Sequence, residues 1–158
     1  MFRDYSAPVK VFYDYSPEQL ATLIAYDSDA FVRWDAAQRI AENAILQQCR
    51  QNAKGLDMTL DSSLLKAFRG ILSDRSADPA LLAEAMTLPD EDYLAEQMEV
   101  VDVDGIHAAR EFIKNRLANN LKALLVECYA EFNDGQPYEK SSGAMARRML
   151  KNICLSYL

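Results

Sequence analysis

The side chains best suited to catalysis or metal binding are few and widely spaced in this sequence of 158 residues. The single histidine, His107, has no second histidine and no nearby cysteine, so it cannot build a zinc site of the usual composition. Cys49, Cys128 and Cys154 stand far apart among apolar residues of helical period. We therefore expect a partly exposed histidine in the first turn of a helix and three buried, reduced thiols.

One segment has part of the pattern of a calcium-binding loop. Asp102, Asp104 and Glu111 match the third, fifth and twelfth positions of an EF-hand loop, but Val100 replaces the carboxylate that the first position requires. Asp104 followed by Gly105 is equally typical of a helix N-cap and its first turn. We predict no calcium site here.

Other sequence signatures of catalysis or nucleic-acid binding are missing. The sequence contains no G-x-S-x-G elbow, no phosphate-binding P-loop and no cysteine with a plausible histidine partner. With a net charge of -7, the chain would need a basic face to bind a phosphate backbone, and no such face is visible. We assign no catalytic, cofactor-binding or metal-binding residue to this chain.

Acidic and basic residues are unevenly distributed. No Lys or Arg occurs in residues 76–109, which are rich in Asp and Glu, whereas Arg147, Arg148 and Lys151 cluster near the end. The acidic stretch is either a docking face for a basic partner or a solvated edge with carboxylates near helix N-termini. The solvated edge is favoured, and the spacing of the basic cluster does not make a phosphate site.

A change of period near Ser16 divides the chain. The alternation in Val9–Tyr15 (VKVFYDY) predicts one β-strand, and no later segment offers a partner strand. Ser16, Pro17 and Gln19 then form a helix start with a capping box. Further helices are predicted from Asp29 to Gly55, from Asp61 and Asp78 as two arms of a hairpin, from Asp90, from Ile106 to Phe132, and from Ser141 or Ser142 to Leu158.

The apolar faces of these helices predict the core. In the second helix we expect Phe31, Trp34, Ala37, Ala41, Ala44 and Cys49 to face the bundle, with Trp34 filling a gap. In the long helix the stripe is Ile106, Ala109, Ile113, Leu117, Leu121, Leu124, Cys128 and Phe132. In the last helix it is Met145, Met149, Leu150, Ile153, Cys154 and Tyr157, and this apolar stripe reaches Leu158 without a polar tail. The unpartnered strand and this apolar end lead us to expect a segment of a longer protein.

These patterns together predict an all-α fold: an array of antiparallel helical hairpins of HEAT or armadillo type, preceded by one orphan β-strand. Residues 1–15 would be the last strand of an upstream β-sandwich domain, and residues 16–158 the first part of a helical domain. The alternative is a self-standing helical-repeat scaffold that binds a protein partner along its acidic edge.

The string YSAPVKVFYDYSPEQLATLIAYDSDAFVRWDAAQRIA around Trp34 resembles the domain junction of the bacterial aminopeptidase N family, which are gluzincin zinc peptidases. The DPALLAEAMTLP segment and the A-x-R-x-L-x-N-x-C-L run from Ala146 to Leu155 agree with the helical domain of that family in the same order. The resemblance implies a non-catalytic part of a cytoplasmic zinc aminopeptidase that helps to cap the active site and to limit access to short peptides.

The resemblance carries no catalytic residue into this chain. The family's H-E-x-x-H zinc motif needs two histidines, and the string Gly143–Arg147 echoes the family's G-A-M-E-N motif without its glutamate and asparagine. Zinc is therefore expected in the full-length parent and not in this part. The implied partners are the catalytic and β-sandwich domains of the parent and its peptide substrates. We also expect self-association, because faces that would contact the missing domains are exposed. The acidic net charge and the lack of a long apolar stretch predict no nucleic-acid and no membrane partner.

Overall fold

The computed structural model describes residues 13–133, 135 and 137–158. Its helices are α1 (Pro17–Tyr26), α2 (Ala30–Ala53), α3 (Ser62–Ser73), α4 (Pro79–Met86), α5 (Glu91–Glu96), α6 (Val103–Phe132) and α7 (Ser142–Tyr157). These described residues contain no β-strand. The all-α prediction is confirmed.

The predicted strand is not supported among the described residues. Its first part, Val9–Phe12, lies outside the described residues, and Tyr13–Tyr15 adopt no strand. A lone extended segment has no neighbour with which to form a ladder, and no second strand is found in the described ranges.

A capping side chain begins each described helix, because an oxygen there satisfies backbone N–H groups that the helix leaves free. Ser16 and Gln19 form the predicted capping box, with Ser16 N–H donating to Gln19 Oε1 at 2.9 Å. The other caps are Asp29, Asp61, Asp78, Asp90, Asp102 and Ser141. Three carboxylates of the acidic stretch, those of Asp78, Asp90 and Asp102, therefore serve as helix caps.

The start of α6 differs from its prediction by three residues. Asp102, and not Asp104, is the N-cap, and its carboxylate accepts a hydrogen bond from Gly105 N–H at 2.9 Å. Gly105 is buried, and an added Cβ there would run into the Asp102 carboxylate and lie 2.9 Å from Cys49 Sγ. A glycine is needed at position 105 for this close approach. The spacing of apolar residues in the sequence did not reveal this requirement.

The core forms where α2 and α6 meet and the other helices pack around them. The α1–α2 and α6–α7 hairpins have the most extensive contacts, α3 packs on α1 and α6, and α4 packs on α7 and α2. Direct contact between α3 and α4, the two predicted hairpin arms, is smaller. The alanines of α2 at positions 36, 37, 41 and 44 are buried, which lets neighbouring helices approach closely.

Several residues that were predicted to lie in the core are exposed or only partly buried. Phe31 is exposed and Trp34 is half-buried, with their rings 5.3 Å apart, so this pair flanks the core. On α7, Met145 and Met149 are exposed, because the helix turns Ala146, Leu150, Cys154 and Tyr157 inward. On α6, Leu125 is fully buried, whereas Leu124 and Phe132 are partly buried.

Two buried polar contacts tie distant segments together. Tyr157 Oη donates a 2.7 Å hydrogen bond to the carbonyl of Met86, joining the end of α7 to the end of α4. Gln48 of α2 is 2% exposed, and its Oε1 accepts a 2.7 Å hydrogen bond from Thr59 N–H. Both contacts satisfy groups that would cost free energy if left unpaired in the interior.

Candidate functional site

A groove of about 720 Å³ lies beside the N-terminal half of α2. We call it the α2 groove. Residues from five parts of the chain line it: Tyr13–Tyr15, Leu20 of α1, the α2 residues Trp34, Asp35, Gln38, Arg39, Glu42 and Asn43, then Glu84, Thr87, Leu88, Pro89 and Asp90, and finally Tyr93 and Gln97. It is the larger of two clefts described below.

The side of the groove next to Tyr13 combines aromatic rings with one ion pair. The rings of Tyr13 and Tyr15 are 4.5 Å apart, and the Arg39 guanidinium lies 5.9 Å from the centroid of the Tyr15 ring. Arg39 Nε also donates to Asp35 Oδ2 at 2.8 Å, one turn earlier on α2. Burial raises the pKa of Tyr15, so its hydroxyl stays protonated. These contacts hold the segment before α1 against α2.

Hydrogen bonds from α2 also hold the α4–α5 side of the groove. Gln38 Nε2 donates to the carbonyl of Thr87 at 2.9 Å, just beyond the end of α4. Tyr93 of α5 donates from its hydroxyl to Glu42 Oε2 at 3.1 Å. Burial and the Glu42 carboxylate raise the pKa of Tyr93, which keeps the donor protonated. The segment before α1, helix α2 and the α4–α5 region are therefore held together as one continuous surface.

The electrostatic character of the α2 groove is negative. Carboxylates of Asp14, Asp35, Glu42, Glu84 and Asp90 line it, and Arg39 is the one cation among the lining residues. Those lining residues include no histidine and no cysteine. The arrangement suits binding of a polar or basic surface, with aromatic rings to pack against it, and supplies no nucleophile paired with a base.

A second, smaller cleft of about 430 Å³ lies along α1 and α3 and contains an ion pair. Arg33 Nη2 and Asp74 Oδ2 are 2.7 Å apart, and Arg33 Nε donates to the carbonyl of Ile24 at 2.9 Å. Hydrogen bonds from Ser76 and then from Arg33 lower the pKa of Asp74 to about 2. This cluster braces α1, α2 and the end of α3.

His107 lies where the sequence placed it, in the first turns of α6 with its side chain 65% exposed. Its Nδ1 is 2.9 Å from Glu91 Oε1 across the α5–α6 connection. The hydrogen bond and charge of Glu91 raise the pKa of His107. The pair connects two helices on the surface.

The described residues contain no group of three or more His, Cys, Asp or Glu side chains arranged to hold a metal ion. Asp102 matches the third position of an EF-hand loop, but in the structure it caps α6. Its carboxylate accepts a hydrogen bond from the backbone N–H of Gly105. Among the described helices, none is long and apolar enough to cross a membrane.

Sequence reasoning did not find the α2 groove. Its lining residues come from several separate segments, and the family strings that some of these segments carry do not indicate that they meet in space. The available signals were the tyrosines before α1 and the acidic residues around Asp90, which the sequence alone could not bring together.

Stacked helical hairpins around a continuous core place the chain in the armadillo-type class of helical-repeat proteins. Residues 17–158 match a family described as a domain of unknown function (DUF3458_C) with ARM repeats. The chain belongs to this family.

Similar proteins that contain a matching segment are aminopeptidases. Aminopeptidase N of Haemophilus influenzae is 35% identical over 98% of this chain, and Aminopeptidase N of Escherichia coli K12 is also 35% identical over 98% of it. The crystal structure of Legionella pneumophila aminopeptidase A in complex with aspartic acid superposes with a TM-score of 0.78 and 29% identity over 97% of this chain. In each case the chain spans 18% of the relative's length.

Proposed function

We propose that this chain is the first part of the C-terminal helical domain of a zinc aminopeptidase and carries no active site itself. The observation that supports this is the coverage: relatives named Aminopeptidase N align with 98% of this chain, which spans 18% of their length.

The partners that we propose are the catalytic and β-sandwich domains of the parent. Residues 1–15 would end the β-sandwich domain and residues 16–158 would begin the helical domain. Tyr13 and Asp14, at the end of the predicted strand, line the α2 groove. We therefore assign the α2 groove as the face toward the upstream domains.

The residues of this chain do not fit a zinc site, because His107 is its one histidine and binds Glu91. In the parent, zinc would polarise the first peptide carbonyl and activate water, and the ligands would come from the catalytic domain.

We place the parent in the cytoplasm, since Cys49, Cys128 and Cys154 are all free and buried.

The role that we propose for this part is to help cap the active site and admit short, flexible peptides. Rigid helical hairpins suit such a wall, since tight packing fixes their surfaces. The purified chain should bind no stoichiometric zinc and should not hydrolyse an aminoacyl p-nitroanilide. Turnover that stays with the protein through purification would contradict this proposal.

The gene on either side of this segment gives a direct test. We expect an upstream reading frame that encodes H-E-x-x-H and continues into this chain. Stop codons on both sides would instead favour the scaffold that binds a partner along its acidic edge.

The assignment of the α2 groove can be tested in the longer polypeptide. Glu42→Lys should weaken the contact between domains, so that thermal unfolding separates into two transitions. Glu99→Lys makes the same charge change at an exposed residue between α5 and α6 and is the matched control. Equal behaviour of both variants would refute the groove as an interdomain face. Hydrolysis of peptides of increasing length would then show whether loosening this face admits longer substrates.

A further inference from the structure

Helix α7 carries two methionines on its solvent side. Met145 is 48% exposed and Met149 is 39% exposed. Because they are four residues apart, they lie one turn apart on the same face of the helix. The residues that pack α7 onto the rest of the chain are on the opposite face, namely Ala146, Leu150, Cys154 and Tyr157. Both thioethers are therefore open to solvent, and the packing of α7 depends on other side chains.

The other methionines that the structure describes are better protected. Met86, at the end of α4, is fully buried, and Met58 and Met98 are partly buried against the core. The three cysteines are also buried. A dissolved oxidant should therefore meet the two sulfurs of α7 before any other sulfur in the described part of the chain.

The chemistry that exposed methionines offer is reversible oxygen transfer. A thioether has no ionisable proton, so its sulfur reacts without first losing one. The sulfur lone pair attacks one oxygen of a hydroperoxide, the S–O bond forms, and the O–O bond breaks. With hydrogen peroxide the departing hydroxide takes the proton of the new S–OH group and leaves as water. The sulfur loses two electrons, and methionine sulfoxide reductases can restore it.

The surroundings on α7 suit the oxidised side chains. Arg148 follows Met145 by three residues and Asn152 follows Met149 by three, so each pair is adjacent on the helix surface. Arg148 donates one N–H to the carbonyl of Glu139 at 2.9 Å, and a guanidinium has five N–H donors in all. A sulfoxide oxygen would therefore form beside polar groups and solvent.

We propose that Met145 and Met149 form a surface oxidation site, at which hydroperoxides reversibly convert the exposed side of α7 from apolar to polar while the fold stays intact. Sulfoxide formation disrupts packing when the methionine lies in a core. Here the oxygen is added on the face opposite the core. The proposal concerns residues of this chain alone and does not depend on its place in an aminopeptidase.

The first test treats the whole chain with hydrogen peroxide and maps its peptides by mass spectrometry. Met145 and Met149 should each gain one oxygen at least about tenfold faster than Met86, because a buried sulfur reacts only during local opening. The thermal midpoint should move by less than about 2 °C, as expected for a surface change. Methionine sulfoxide reductases A and B, with dithiothreitol as reductant, should remove both oxygens.

Three results of this test would overturn the proposal. They are oxidation of Met86 as fast as that of Met145 and Met149, a larger loss of thermal stability on oxidation, and sulfoxides that the reductases leave in place.

The second test measures the change in surface polarity by hydrophobic-interaction chromatography. Peroxide should shorten the retention of the wild type. The double variant Met145→Leu, Met149→Leu keeps the volume and apolar character of both side chains, so its retention should not respond. The matched control is Met58→Leu, Met98→Leu, which should respond like the wild type. An unchanged wild type, or an equal response in both double variants, would refute the assignment.

Discussion

Several single residues matter because of the contacts that they permit or make between separate parts of the chain. Gly105 shows this clearly, since the Asp102 cap and the Cys49 sulfur occupy the space beside its Cα. Arg33 and Asp74 show it on the surface, where one ion pair joins three segments. Each case can be tested with a small substitution and a matched control.

Gly105→Ala should destabilise the chain, because the new methyl group would meet the Asp102 carboxylate and the Cys49 sulfur. Overpacking of this kind costs about 1–3 kcal/mol. Gly70→Ala is the control, since Gly70 lies within α3 with open space around its Cα, and a gain of about 0.5–1 kcal/mol is expected there. Urea unfolding of both variants checks the opposite signs, and destabilisation of equal size at both sites would contradict this reading.

Asp74→Asn should lower stability near neutral pH and lose this effect in acid. The pKa of Asp74 is about 2 in the folded chain against an ordinary value of 3.8, so its stabilising effect is present above pH 3.8. That effect is lost as the pH falls from there through about 2. Urea unfolding at several pH values should therefore show the wild type and the variant converging in acid.

The control for this titration is Asp57→Asn, which removes a carboxylate at an exposed position between α2 and α3. We expect this control to change stability by less than about 0.5 kcal/mol at any pH. A gap between wild type and Asp74→Asn that stayed constant down to pH values near 2 would contradict the role of the Asp74 carboxylate.

At the scale of elements, polar contacts decide how the ends of helices are joined. Tyr157 at the end of α7 reaches the carbonyl of Met86 at the end of α4, and Gln38 of α2 reaches Thr87 one residue further on. The C-terminal end of α4 is therefore held from two sides. Its carbonyl groups would otherwise lack hydrogen-bond partners at the helix end.

Tyr157→Phe should cost about 1–3 kcal/mol, since it leaves the buried carbonyl of Met86 without its donor. Tyr26→Phe removes a hydroxyl from a side chain that is 84% exposed and should have almost no effect. Thermal and urea unfolding would measure both, and equal stability of the two variants would show that the contact contributes little.

Helix positions could be predicted from the sequence because their determinants are local. Aspartates and serines capped the helices at Ser16, Asp29, Asp61, Asp78 and Asp90 as predicted. The start of α6 and the inward face of α7 were wrong in detail, since tertiary packing selected Asp102 as the cap and turned Met149 outward. The α2 groove was missed because it joins residues distant in sequence, where spacing carries no information.

At the scale of the whole molecule, the exposed apolar side chains of α7 should govern behaviour in solution. Met145, Met149 and Leu155 of α7 are exposed, although they belong to a helix with a buried opposite face. Removal of such apolar area from water favours association. We expect the purified chain to self-associate through α7.

Met149→Glu should weaken this self-association, because it places a charge on the exposed apolar surface. Asn152→Glu introduces the same charge at an exposed polar position of α7 and serves as the control. Sedimentation velocity over a range of protein concentrations would measure both. A single monomeric species for the wild type at all concentrations would contradict the prediction.

The hydrogen bond between Tyr157 and Met86 also affects the order of folding during synthesis, because it forms only after α7 has been made. Its two residues are 71 positions apart, and α7 is the chief packing partner of α4 on that side. At ribosomal rates of about 5–20 residues per second, α4 leaves the exit tunnel roughly 4–14 s before α7, which covers it, also leaves the tunnel. During that interval its apolar face is open to other nascent chains and to chaperones, so the completion of this fold waits for its last helix.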